Sequence, residues 1–284
     1  KNMHKLIHAI SSKLIAKELC LEQFGKNIDI SNISAFSKAD PKSLTFSTRP
    51  SKTSKSKGLV VSSVANNSHS GLISTNPRLD FIYILNWLID RGMIESEDSS
   101  IIHKSVKIHS SAIIGENVSI GLNSIIGPNC NIQNGSVLGE NVIVGSNTII
   151  GCDGFGYEKD KGGYNIKFPH LGGVVVNNNV EVGNLCSIAR GTLDNTIINE
   201  GVKIDNHVYI AHNVLVGKNS MLMSGSKVNG SVKIGKNCWI GTGAMIREGV
   251  SVSDNTIVGM GSVVVKNINE ESTVVGNPAR QVEG

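Results

Sequence analysis

Aromatic side chains are scarce in this chain: 2 Trp, 4 Tyr and 6 Phe make up 4% of its 284 residues. No sign of charge dominates either, since 27 Lys and Arg face 23 Asp and Glu. Apart from the run RPSKTSKSKG at 49–58 these charges are scattered, which excludes a nucleic-acid footprint. The five cysteines (Cys20, Cys130, Cys152, Cys186 and Cys238) lack any C-x-x-C pair, so neither a zinc knuckle nor a redox centre is expected. Unpaired, scattered thiols suit a reducing compartment, and a cytoplasmic location is expected. No apolar run approaches the roughly 20 residues of a membrane span, and the N-terminus lacks a signal peptide's apolar core. What the chain does have is 39% hydrophobic residues, enough for a sizeable core, and 31 Gly alongside abundant Val, Ile and Asn. That composition points to repetition.

The repeat is visible from residue 102. Ile102, Ile108, Ile114, Ile120, Ile126, Ile132, Leu138, Val144 and Ile150 fall at intervals of six, mostly followed by glycine. The register resumes at Val176, Val182 and Ile188, slips by four residues, and then runs unbroken from Ile198 to Val264. An aliphatic at one position of each hexad, with small or turn-forming residues after it, is the signature of a parallel β-helix. Each hexad is a short strand and a tight turn, the aliphatic points inward, and Gly or Asn takes the corner. The 24 hexads amount to about eight triangular coils.

Two interruptions break the repeat: a Gly- and charge-rich excursion at 152–175, and a four-residue insertion around ARGTLDN at 189–195. Loops ejected from a solenoid are where binding residues collect. Residues 1–100 carry no hexads and read as a small α/β domain. In it, residues 3–24 are predicted as an amphipathic helix (Leu6, Ile10, Leu14, Ile15, Leu19). NIDISNIS, SLTFS and KGLVVSSV are predicted as strands, and PRLDFIYILNWLIDRGMI as a second helix.

GCDGFGY, VEVGNLCSIARGTLDNTII and GVKIDNHVYIAHNVLVG resemble the core motifs of the UDP-3-O-acylglucosamine N-acyltransferases of lipid A synthesis. ISNISAFSKADPKSLTF is similar to that family's N-terminal nucleotide-binding domain. The resemblance implies a left-handed β-helix over 101–266, a homotrimer with active sites in the grooves between subunits, and a nucleotide-linked amino sugar as acceptor. It also implies His212 as general base, Asp205 as the carboxylate orienting its ring, and backbone N–H groups of the next coil as oxyanion donors. Asp153, Gly154 and Phe155 would line the sugar pocket, and Phe46 would stack the nucleotide base. This chain departs from the pattern at three places: Lys52 stands where the second stacking aromatic belongs, Ala189 replaces an acid in SIARG, and IREGVSV lacks a second histidine.

The C-terminal segment 267–284, NINEESTVVGNPARQVEG, with the VGMGSVVVK before it, looks like that of CoA-dependent sugar acetyltransferases, whereas lipid A enzymes continue into helices that dock acyl carrier protein. By that likeness Pro278 and Arg280 lie at the CoA site, a guanidinium suiting a phosphate. The expected reaction is therefore acetyl transfer from acetyl-CoA, a co-substrate and not a bound cofactor, to a dTDP- or UDP-linked amino sugar for surface glycan or O-antigen synthesis. The lipid A reaction, with acyl carrier protein as donor, is the first alternative, and CO2 hydration by a β-helical carbonic anhydrase the second. His207 lies five residues before His212 and 37 after His170, a spacing that resembles the zinc ligands of β-helical carbonic anhydrases. No metal is expected, because spacing alone is a weak motif and the flanks of His170 match the acyltransferases. His207 is expected as a substrate contact at most.

Overall fold

The computed structural model describes residues 4–48, 57–65, 68–95 and 100–282, and no helix among them is long and apolar enough to cross a membrane. Two compact units divide the chain: Lys1–Ser96 with Gly156–Leu171, and Glu97–Phe155 with Gly172–Gly284.

In the second unit each hexad contributes a two-residue strand and a corner. The strands stack into three sheets of 8, 10 and 8 strands, giving a left-handed parallel β-helix. The ten-stranded sheet gains two extra C-terminal strands, Thr273–Val275 and Arg280–Gln281. Ile126, Ile150, Ile188, Ile210, Val228 and Ile246 fill the prism, each essentially inaccessible to water. A second inward position, two residues earlier in each hexad, holds Val, Cys, Ala, Ser or Thr, among them Val214, Cys238, Ala244 and Ser124. Its small side chains fit the narrow corner of the triangle, and Ser124, Ser136, Thr148 and Ser220 donate to backbone carbonyls, Ser124 Oγ to Gly139 O at 2.9 Å.

The interruptions leave the stacking intact. Partners on one face are ordinarily 18 residues apart, as in Ser119 and Val137. Across the excursion the separation becomes 38, Val137 pairing with Val175. Across the insertion it is 22, Val175 pairing with Ile197. Extra chain is ejected at a corner while the coils above and below keep their hydrogen bonds.

The first unit is a six-stranded sheet in the order His4–Ser11, Asp29–Ile33, Ser43–Phe46, Leu59–Ser62, Gly71–Ile73, Glu22–Phe24, with helices Ser12–Glu18 and Pro77–Asp90. The long helix is capped by Asn76, whose side chain accepts the Leu79 N–H at 3.2 Å. Here the helix predicted over 3–24 is corrected. His4–Ser11 is a strand, antiparallel to Asp29–Ile33, and its pairing register shifts between Lys5 and Ile10. Residues four apart share a face on a strand as on a helix, and because residues 7–9 between them are exposed, the buried Leu6 and Ile10 imitate helical spacing. The middle of the excursion, Gly156–Leu171, belongs to this unit too, as a hairpin of Tyr157–Lys159 and Asn165–Lys167. Glu158 on the hairpin pairs with Arg78 at 3.2 Å.

Candidate active site

The hexad fixes where His212 stands. Strand Tyr209–Ile210 sends Ile210 inward, Ala211 opens the corner, His212 follows, and Asn213 turns the chain with φ of +60°. Eighteen residues on, Gly230 occupies the same corner position one coil further, and Glu248 the next. A Cβ on Gly230 would stand 2.7 Å from His212 Cε1 and 2.9 Å from Nε2. The imidazole therefore lies over this corner because residue 230 has no side chain. The Gly230 N–H has no acceptor among the described residues. At comparable corners that N–H is capped by the next coil: Asn134 Oδ1 accepts from Glu116 N–H at 3.1 Å, and Asp254 Oδ1 from Lys236 N–H at 2.8 Å. His212, Gly230, Glu248, Tyr209 and Phe155 line one cleft of about 520 Å³. Burial raises the pKa of the Tyr209 hydroxyl, with a further contribution from Cys152, so it stays a neutral donor.

Asn213 sets the tautomer of His212. Its Oδ1 accepts the backbone N–H of Thr192 at 2.8 Å, which leaves Nδ2 facing His212 Nδ1 at 3.1 Å. A donor aimed at Nδ1 makes that nitrogen an acceptor, and the neutral ring then carries its proton on Nε2. Thr192 belongs to the four-residue insertion, so the insertion holds the amide that holds the imidazole.

Within the chain, both carboxylate oxygens of Asp205 accept from backbone N–H groups. Asp205 Oδ1 accepts the Asn206 N–H at 2.7 Å and Oδ2 the Ser224 N–H at 3.2 Å. Seven residues are one hexad and one more, so Asp205 and His212 sit on successive corners of one coil, and Asp205 braces its own corner. His207 turns that same corner with φ of +60°, where the neighbouring coils place Leu185 at +56° and Gly225 at +70°. It is exposed and lies outside the His212 cleft.

Of the excursion residues, Phe155 reaches the cleft while 82% exposed, Gly154 is buried, and Asp153 lies 4.0 Å from Arg190 Nε. Arg190 was not singled out in the sequence. Its Nε donates to Gly151 O at 2.8 Å and its terminal nitrogen to Asn134 O, so it ties the mouth of the excursion to the coil below. The only signal for it was a charged residue inside the insertion.

In the first unit Phe46 is half-buried, with one face against Phe81 at 4.7 Å between centroids and Phe168 at 6.0 Å. Its expected counterpart, Lys52, lies outside the described residues. The loop before Phe46 is held by Asp40, which accepts from Ser43 Oγ and Lys42 N–H, both at 2.8 Å. Burial pushes the Asp40 carboxyl up, but these hydrogen bonds, with one from Asn32, outweigh it and leave the pKa lowered. At the C-terminal end, Arg280 and Lys266 line a cleft of about 360 Å³; Pro278 lies in the turn beside it. His170 belongs to the first unit, its Nδ1 2.8 Å from Phe168 O. Among the described residues no group of three His, Cys, Asp or Glu could hold a metal.

A hexapeptide β-helix with an imidazole poised in a corner cleft places this chain among the hexapeptide transferases. The family model of the bacterial transferase hexapeptide (six repeats) matches residues 231–266. The chain is 38% identical over 245 residues to the UDP-3-O-acylglucosamine N-acyltransferase of Campylobacter lari, covering 76% of each. It is 56% identical over 129 residues to UDP-3-O-acylglucosamine N-acyltransferase 2 of Legionella pneumophila, covering 45% of this chain and 37% of that one. The solved UDP-N-acetylglucosamine acyltransferase of Campylobacter jejuni shares the fold, with a TM-score of 0.52 at 23% identity over 64% of this chain and 73% of that one. The chain belongs to the UDP-3-O-acylglucosamine N-acyltransferase family.

Proposed function

We propose that this protein transfers an acyl group from a thioester to the amine of UDP-3-O-acylglucosamine or a closely related nucleotide-linked amino sugar. The observation that carries this reading is one cleft holding both the His212 imidazole and the open N–H of Gly230. Amine attack on a thioester needs an acceptor for the amine proton and a donor for the carbonyl oxygen as it becomes an oxyanion. His212 takes the proton as the C–N bond forms, and Gly230 N–H holds the oxygen. The C–S bond then breaks, and the imidazolium returns the proton to the departing sulfur. No acyl-enzyme is needed, since the amine attacks directly.

Base work at Nε2 requires the ring's own proton to sit on Nδ1, a tautomer that an acceptor oxygen facing Nδ1 would favour. Asn213→Asp presents an oxygen permanently and is expected to raise kcat severalfold. A pH–rate profile of the variant checks this.

The donor favoured by the relatives is acyl carrier protein, ahead of the acetyl-CoA expected from the C-terminal segment, because the similarity to the lipid A enzymes extends over three quarters of the chain. Acyl-CoA is the second reading, supported by the cleft of Lys266 and Arg280. The decisive experiment mixes the protein with UDP-3-O-acylglucosamine and either hydroxyacyl carrier protein, acetyl-CoA or a longer acyl-CoA, and reads product masses. His212→Ala is expected to lose transfer by orders of magnitude with its solution mass unchanged, and full activity in that variant would remove His212 as base.

A further inference from the structure

The solenoid places His212, Gly230 and Glu248 at the same corner on three consecutive coils, in register through Tyr209, Lys227 and Met245. Coils stack about 4.8 Å apart, so the backbones at 212 and 248 are about 10 Å from each other. The rung between them carries no side chain. Over it, the imidazole of His212 leans from one side, and Glu248 lines the same cleft from the other.

Several coils carry a glutamate at this position, Glu116, Glu140 and Glu200 among them, and Glu248 is set apart by its place in the His212 cleft beyond the bare Gly230 rung. Asn134, Asn178, Asn184, Asn206 and Asp254 stand at the matching place in other coils, and each caps the N–H of the coil below. Glu248 caps nothing: its carboxylate makes no hydrogen bond or ion pair among the described residues. Its charged surroundings are Arg247 beside it, Lys266 one coil on and His212 two coils back. The Glu248 carboxylate and the His212 imidazole thus line one cleft on either side of the bare Gly230 rung.

We propose that Glu248 is the specificity-determining residue that selects an amine over a hydroxyl as acceptor, by receiving the acceptor nitrogen as an ammonium ion over Gly230. This rests on the reading of the cleft as the transfer site. An amino sugar arrives as R–NH3+, and a sugar hydroxyl arrives neutral. Glu248 holds the cation in place, and one proton leaves to solvent to give R–NH2. The second proton goes to His212 as the C–N bond forms, so the ammonium and thioester become amide, thiol and one released proton. A neutral hydroxyl can donate a hydrogen bond to the carboxylate, or to a glutamine in its place, but forms no ion pair with it.

The test is calorimetric binding of UDP-3-O-acylglucosamine, and of UDP-3-O-acylglucose with a hydroxyl at the same carbon, to wild type, Glu248→Gln and His212→Ala. For Glu248→Gln the Kd of the amine ligand at pH 6 is expected to rise about threefold to tenfold, a modest change because the carboxylate is exposed. The Kd of the hydroxyl ligand stays the same, and the difference closes at pH 9 as the ammonium deprotonates. His212→Ala keeps the discrimination. Equal weakening of both ligands, or no weakening at all, overturns the role of Glu248 while leaving the transfer reaction standing. A wild-type protein that binds neither ligand overturns the acceptor proposed above, and this inference with it.

Discussion

A methyl group at residue 230 would press on Cε1 and Nε2 of His212 from 2.7 and 2.9 Å, closer than such atoms pack. Gly230→Ala is therefore expected to displace the imidazole and lower kcat by about ten- to a hundredfold, since small misplacements of a reacting group carry that scale of loss. An unchanged far-UV spectrum would separate this from unfolding. Leu185 offers the opposite case: a bulky side chain in the left-handed region, with φ of +56°, at a corner where most coils place Asn or Gly. Leu185→Asn is expected to stabilise the β-helix by about 1 kcal/mol, read by denaturant unfolding. At this scale the sequence was uneven as a guide. His212 was legible from its motif, because the motif runs continuously along two hexads. Its contacts with Gly230 and Asn213–Thr192 were not, because they join residues of different coils, and the offset between coils depends on where loops are ejected.

Among the elements, the hexad run was almost fully legible, period and insertion alike, because one face of every strand is buried and a slip of one residue would expose it. The N-terminal strand was misread for a physical reason: Leu6 and Ile10, four residues apart, share a face on a strand as on a helix, and His8 between them is exposed, so no alternation marks the strand. The excursion was seen as a loop, but its hairpin was not, since Tyr157–Lys159 and Asn165–Lys167 bury little of their own. Arg190 ties the mouth of that excursion to Gly151 and Asn134. Arg190→Met keeps the length of the side chain and removes its donors, at an expected cost of about 1–3 kcal/mol. Hydrogen exchange should rise first at 152–155, and transfer should fall if Asp153 and Phe155 must be held still.

The whole molecule has two units, and each carries one tryptophan, Trp87 in the first and Trp239 in the second. Burial beside Phe24 lowers the pKa of His69 in the first unit below its ordinary 6.5. The unfolded chain then takes up a proton that the folded unit resists. Its contribution to stability is present above pH 6.5 and lost as pH falls through the depressed folded value. Trp87 fluorescence in a Trp239→Phe variant is expected to show the first unit weakening from pH 7 towards pH 5, and His69→Phe to remove that slope. The stacking of coils has a different consequence. Because every ejected loop leaves the rise unchanged, distance along this protein comes in whole rungs. Lys266, in the C-terminal cleft, is the third rung above His212 in the same column, about 14 Å away. The β-helix is thus a graduated ruler, and a donor anchored at that cleft must carry its thioester on an arm cut to three divisions.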